Sequence, residues 1–437
     1  MSQEVSVDAL VEQVQATFAE LPDIRTGKNT VYEMQDAALG AFSVFFTQSA
    51  SFLAHQQEME RTKGCNNARS LFGIERIPSD PQIRNMLDPV APEHVYAPFW
   101  WVLEQLSALS SEADFTGVNG DNLLALDGTQ YFSSYKIHCE NCSQRENSKG
   151  TLYTHAVLTP VLVGRDHNHV LPLAPEFIMP QDGAEKQDCE RNAAKRWIDA
   201  HGDRFAPDSV TILADDLHCH QAFCQKLLAH QMNFILVCKP SSHPGLYEEV
   251  ELLSQVGAVQ EETRQHWNGR HHEIWRYRWI NSVPLRLGED ALMVNWCEIT
   301  ITHAETGERL YYNTFVTNHL ITSDNVAEIT LSGRARWKVE NENNNVLKRY
   351  GYHLEHNFGH GDHYLSMTLL VLNLLAFLFH TVLHLTNRKY QILREELKAR
   401  RTFFQDIRTL SRYMCFQSWD HLFDFMIQGL ELALPPD

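Results

Sequence analysis

Three acidic residues stand where carboxylates could do chemistry. Asp127 closes the apolar run Leu123–Leu126 and is followed by Gly128 and Thr129; Asp215 closes a second run, Ile212, Leu213 and Ala214. Each run reads as a strand, and an apolar strand of an open α/β sheet delivers its terminal side chain to the sheet edge, where such folds hold ligands. Side by side, two carboxylates repel unless a cation lies between them, and Mg²⁺ suits an all-oxygen site. Glu340, near the start of a helix in RARWKVENENNNVLKRYG, is the candidate third acid. Two metal ions about 4 Å apart then activate water or a 3′-hydroxyl and stabilise the leaving oxygen, which is phosphodiester chemistry.

The elements that must position these acids follow from periodicity. Residues 1–118 read as mostly helical, with apolar residues at helical spacing in VDALVEQVQATFAEL and YEMQDAALGAFSVFFTQSASFLAHQQ. In IPSDPQIRNMLDPVAP, Ser79 or Asp80 can cap a helix with Pro81 at its first position, and Pro89 and Pro92 stop it. That helix carries Arg84, which could enter a DNA groove; the alternative is a plain bundle helix. From about 119 the order becomes β-β-β-α-β-α-β, through NLLALDGTQYFSS, TLYTHAVLTPVLV, HVLPLAPEFI, KQDCERNAAKRWIDAHG, SVTILADD, HQAFCQKLLAHQ and NFILVCKP. This predicts an α/β fold, a mixed sheet with helices on its faces, in which the first and fourth strands can be neighbours. Residues 246–330 are β-rich, and 331–437 return to helix.

Composition narrows the function. A chain of 437 residues predicts about two to four domains. With 43% hydrophobic and 21% charged residues, wholesale disorder is excluded. The net charge of −18 excludes bulk attraction to nucleic acid, so any DNA binding must use local basic patches. Nine scattered cysteines, an odd number, fit reduced thiols better than a secreted disulfide framework. The polar, acidic start lacks the basic and apolar regions of a signal peptide. The run Met367–Leu385 approaches a membrane span in length, but Asn373, His380 and His384 interrupt it, and a buried core helix is expected.

Together LALDGTQYF, ILADDLHCHQAF and RWKVENENNNVLKRYGYHLEHNFGHG resemble the insertion-sequence transposases of the DDE type, which have an RNase H-like catalytic core. The helical leader with LFGIERIPSDPQIRNMLD also resembles this family, and the segment between the second Asp and the Glu resembles the β-rich insertion of one branch. The resemblance implies that Asp127, Asp215 and Glu340 are the catalytic, metal-binding triad, with Asp216 the rival for the second position and Glu342 or Glu355 for the third. Asp215 directly follows the apolar strand, and Arg336 precedes Glu340 with three residues between, as in the family's Arg-x-x-x-Glu signature. Arg336 and Lys348 are then expected on DNA phosphates. Two departures stand out: the signature's Tyr falls at Gly333, and Lys348 lies one residue beyond the usual spacing.

The implied domains are a helical DNA-binding region at 1–118, the first part of the core at 119–245, the insertion at 246–330, and the completion of the core with a helical tail at 331–437. The implied activity is Mg²⁺-dependent cleavage of element ends and their joining to target DNA, with Mn²⁺ as a substitute. The expected partners are element-end DNA, target DNA and a second copy of the chain on DNA, with no membrane and a cytoplasmic, nucleoid-associated location. The alternatives are an inactive transposase-derived DNA-binding protein and a metal-dependent nuclease without strand transfer.

Other constellations carry weaker expectations. Cys139 and Cys142, beside His138, form C-x-x-C; ordinary reduced thiols are favoured over a structural Zn²⁺ site completed by His155 and Cys189. His353, His356, His360 and His363 are expected to bond DNA phosphates or cap turns, or one to assist proton transfer, with a separate metal site as the weaker alternative. Lys239, ending the fifth strand, is a candidate phosphate contact. Between Arg388 and Arg412 eight basic residues face three acidic ones, so Arg400, Arg401, Arg408 and Arg412 could form a DNA-facing stripe or a solvated face. Trp267, Trp275, Trp279 and Trp296 are expected in the core of the insertion, with stacking on an unpaired base as the alternative.

Overall fold

A computed structural model describes residues 5–26, 30–60, 66–109, 115–180 and 188–433. The first residues of the polar start, and Lys186 and Gln187 of the expected helix, lie outside the described residues, as does Cys65. The eight described cysteines are all free thiols.

Six helices open the chain: α1 (Val7–Ala19), α2 (Met34–Phe46), α3 (Phe52–Glu60), α4 (Asn67–Phe72), α5 (Asp80–Leu87) and α6 (Ala97–Ala108). Ser79 caps α5, as the sequence predicts, and Pro81 is the second residue of the helix rather than its first. The sheet follows: β1 (Asn122–Ser134), β2 (Ser143–Asn147), β3 (Gly150–Val163), β4 (Val170–Pro172), β5 (Glu176–Ile178), α7 (Glu190–His201), β6 (Val210–Ala214), α8 (Gln221–Ala229) and β7 (Asn233–Val237). HVLPLAPEFI is not one strand; β4 and β5 are separated by Leu173–Pro175, with Pro172 ending β4 and Pro175 just before β5. Then come α9 (Pro244–Gln255), β8 (Gln260–Trp267), β9 (His272–Pro284), β10 (Met293–His303), β11 (Arg309–Thr317) and α10 (Val326–Ala335). After a π-helical turn at Val339–Asn344, the chain ends in α11 (Asn345–Arg349), α12 (Leu365–Thr386), α13 (Arg388–Glu396), α14 (Arg400–Tyr413) and α15 (Trp419–Gly429).

All eleven strands share one mixed sheet, ordered β2-β3-β1-β6-β7-β11-β10-β9-β8, with β4 and β5 also on β3. β1 is antiparallel to β3 and parallel to β6, and β6 is parallel to β7. The central strands are buried on both faces, so they read as unbroken apolar runs rather than alternating ones. The β-rich insertion does not form a sheet of its own. Through Phe315↔Val237 and its neighbours, β11 extends the central sheet from β7. Trp279 and Trp296 are buried as expected, but Trp267 is 55% exposed because β8 is the edge strand, where one face has no cover.

The first and last helices share a core. α12 packs on α2, α5 and α6, α14 on α3, and α15 on α1. Asn67 Nδ2 donates to the carbonyls of Ser411 and Met414, and Trp419 Nε1 to that of Leu71. α12 is long and apolar enough to cross a membrane, yet 94% of its apolar window is buried inside the protein. Its polar residues find partners there for one atom each: Asn373 Nδ2 donates to Tyr352 O, and His380 Nδ1 lies 2.7 Å from the Tyr352 hydroxyl.

Candidate active site at the ends of the central strands

β1 and β6 pair in parallel as Leu124↔Ile212 and Ala125↔Leu213. Asp127 and Asp215 each lie two residues beyond that last pair. Side chains alternate with period two, so both acids leave the sheet on one side and at one level. Asp215 accepts from the backbone N–H of Leu217 at 3.0 Å, which orients it in a turn. Asp216 is occupied differently: it accepts from Lys239 N at 2.7 Å and from the Ser242 hydroxyl, with His243 Nε2 at 3.7 Å. Asp216 therefore ties the end of β6 to the chain leaving β7, while Asp215 keeps oxygen free for a ligand.

The third acid arrives from the turn after α10. Gly333 makes that approach possible: a Cβ there would lie 2.7 Å from Phe315 Cε1 and 2.9 Å from Ile235 Cγ2. The position of the family signature's Tyr has no room for a side chain, because α10 lies directly on the sheet. Lys338 then fastens the turn. Its buried Nζ donates to the carbonyls of Gly164, Arg165 and His167 at 2.6, 3.0 and 2.6 Å. Asn344 Nδ2 closes the turn onto Asp127 Oδ2 at 3.0 Å. Glu340 itself is exposed, and it and Arg336 both act electrostatically on Asp127. Of the rivals, Glu355 is ion-paired with Lys348 at 3.1 Å, and burial raises the Glu342 carboxyl, which the neighbouring Lys338 partly offsets.

The sequence reading missed a fourth carboxylate. Glu190, the first residue of α7, fills the space above Gly128, where a Cβ would lie 2.4 Å from its Oε2. It is held by His218 Nε2 at 3.0 Å. The only signal was an acid at a helix start, which normally marks a favourable dipole contact rather than a site. Burial, then Glu190, pushes the Asp127 carboxyl up to about 6; Arg336 opposes this, and Glu340 and Asp215 add to it. Asp127 thus lies within electrostatic reach of three other carboxylates and one guanidinium, which makes the strand ends charge-frustrated. Carboxylate oxygens suit a hard divalent cation, but among the described residues the groups whose ligand atoms close within 4.8 Å of one another are Cys/His clusters, so Asp127, Asp215 and Glu340 would have to draw together to hold one.

The remaining expected DNA contacts divide. Lys239 is exposed at the end of β7. Arg84 is paired with Asp80 at 2.7 Å within α5 and packs on Gly359. The basic stripe is not continuous. Arg400 donates to the Tyr352 hydroxyl at 2.5 Å and stacks over the Tyr352 and Phe377 rings, and Arg408 donates to the carbonyls of Thr47 and Gln48 that end α2. Arg401 and Arg412 remain exposed.

The four expected histidines also separate. His363 pairs with Glu140 at 2.8 Å, while His356 packs edge-on to Phe358. His360 instead joins Cys139, Cys142 and His155 in a buried cluster. Cys189 is not part of it; it stands at the N-cap position of α7, which directs it elsewhere. A second group, Cys219, Cys238 and His243, lies beside Asp216 and was not foreseen. A scan against models of known families finds no match for this chain, and a search of curated proteins finds no relative.

Proposed function

We propose that the chain is a DDE-type DNA transposase with an RNase H-like core, cleaving element ends and joining them to target DNA. The observation that carries this reading is the shared level of Asp127 and Asp215 on parallel neighbours, with Glu340 near enough to act on the charge of Asp127. The strand order supports it: an antiparallel pair leading into two parallel strands, with helices between, is what such a core requires. Mg²⁺, held by Asp127, Asp215 and Glu340, would supply charge neutralisation and an activated oxygen nucleophile. The chain's own residues position that centre. Lys338 and Asn344 fix the Glu340 turn on the sheet, and Arg336 lowers the repulsion at Asp127. Arg336, Lys239, Arg401 and Arg412 are available for phosphates. Glu340 is exposed at the strand ends while Asp127 and Asp215 are half-buried, and a DNA-bridged homodimer would bring two element ends together. Such a protein acts in the cytoplasm, at the nucleoid.

The test is strand transfer. Pre-cleaved DNA bearing the ends of the element that encodes this chain is incubated with the protein, Mg²⁺ and supercoiled target. Joined product supports the transposase. Cleavage of uncut ends without joining supports a nuclease, and tight binding without either supports a DNA-binding relic.

A further inference from the structure

The Cys139–Cys142 pair sits in the loop between β1 and β2, His155 on β3, and His360 in the loop before α12. All four side chains are buried, at 8%, 0%, 1% and 6% exposure. From this geometry we propose a structural Zn²⁺ site formed by Cys139, Cys142, His155 and His360, separate from the carboxylate centre.

The distances argue for one ion rather than a set of hydrogen bonds. Zinc at ~2.3 Å from sulfur and ~2.05 Å from nitrogen in a tetrahedron sets sulfur–sulfur at ~3.8 Å and sulfur–nitrogen at ~3.6 Å. The two Sγ atoms are 3.8 Å apart. His155 Nε2 lies 3.3 and 3.4 Å from Cys139 and Cys142 Sγ, and His360 Nε2 lies 3.5 Å from Cys142 Sγ. The His155 nitrogen has one lone pair or one proton, so it cannot satisfy two sulfurs at once, whereas a shared cation satisfies every ligand. The sulfur separation is nearly twice that of a disulfide, ~2.05 Å.

Donor chemistry selects the ion. Two thiolates and two neutral imidazoles balance Zn²⁺, leaving a neutral centre that tolerates burial. Hard cations prefer oxygen. A Rieske-type two-iron centre also uses two cysteines and two histidines, but it puts the cysteines on one iron and the histidines on the other, whereas here His155 Nε2 lies 3.3 and 3.4 Å from the two sulfurs, close enough to share one ion. The fourth ligand is held in place without the metal. Asp88 accepts from the backbone N–H groups of Asp362, His363 and Leu365 at 3.0, 3.0 and 3.3 Å, and Gly361 takes the φ of +69° that this tight loop requires. Asn141 Nδ2 donates to His363 O across the same junction. The site thus clasps the β1–β3 platform to the segment joining the Glu340 turn to α12, between residues 218 positions apart in Cys142 and His360.

The test is metal content of the full-length protein, purified without added metal and dialysed against metal-free buffer. Wild type is expected to carry about one zinc per chain. Cys142→Ser and His360→Ala should lose it, and Glu340→Ala and Cys238→Ser should keep it. His360→Cys, which retains a zinc ligand, should restore it. Should the losing variants fail to fold, X-ray absorption of wild type decides, with two sulfur and two nitrogen neighbours expected. Folded wild type without zinc, an oxygen-only shell, or zinc that survives in Cys142→Ser and His360→Ala but is lost in Cys238→Ser would each overturn the proposal.

Discussion

Asp127 and Asp215 occupy equivalent positions on adjacent parallel strands, each two residues past the last paired position, Ala125 and Leu213. Their nearness is a consequence of sheet register, so it is present before any metal or DNA arrives. The Asp127 carboxyl is raised from 3.8 to about 6, first by burial and then by Glu190, with Glu340 and Asp215 adding less. A raised folded value favours the protonated form in the folded chain. That contribution is fully present below the unfolded value and is lost as pH rises through about 6. The metal-free protein should therefore lose on the order of 3 kcal/mol from this group between about pH 4 and 7. Urea unfolding in EDTA across that range should show Asp127→Asn lacking this loss and more stable than wild type at neutral pH. Added Mg²⁺ should stabilise wild type at neutral pH and not the variant.

Asp215 and Asp216 should separate by what each loses. Asp215→Ala removes a proposed metal ligand and should abolish cleavage while changing stability little. Asp216→Ala leaves Lys239 N and the Ser242 hydroxyl without their acceptor, and should lower stability by about 1–3 kcal/mol. Circular dichroism melts beside an endonuclease assay check both.

Lys338 should act through position. Lys338→Met leaves three carbonyls without their donor and should cost about 3 kcal/mol. It should also lower turnover in protein that remains folded, because the Glu340 turn loses its anchor. Hydrogen exchange over residues 336–345 should report faster opening, with β1 and β6 unchanged.

The tail arginines should divide by burial. Arg408→Ala uncovers the carbonyls of Thr47 and Gln48 and should destabilise the helical layer by about 1–3 kcal/mol. Arg401→Ala and Arg412→Ala should leave melting unchanged and weaken DNA binding, with a shallower dependence of affinity on salt. Filter binding at several salt concentrations distinguishes the two classes.

What the sequence reveals here is local. The apolar runs before Asp127 and Asp215 identify two buried strands, and their order makes them neighbours, so the placement of these two acids at adjacent strand ends is readable. The capping of α5 by Ser79 with Pro81 is readable for the same reason. What depends on distant contacts is not. His360 reaches Cys142 across 218 residues, and no spacing rule joins them. Glu190 at the start of α7 looks like any acid at a helix N-terminus until Gly128 leaves it space beside Asp127. Arg400 and Arg408 look like members of a charged face, and only the packing of α14 shows that they point to Tyr352 and the end of α2. β8–β11 are visible as strands, but their continuation of the central sheet depends on the β11–β7 pairing.

The most direct measurement is cleavage of labelled DNA bearing the element's own ends, with Mg²⁺, by wild type, Asp127→Ala, Asp215→Ala and Glu340→Ala. The account predicts a nick at the element end and a joined product for wild type, and neither for any of the three folded variants. Undiminished cleavage by any of the three, or no cleavage by folded wild type that binds these ends, would contradict it.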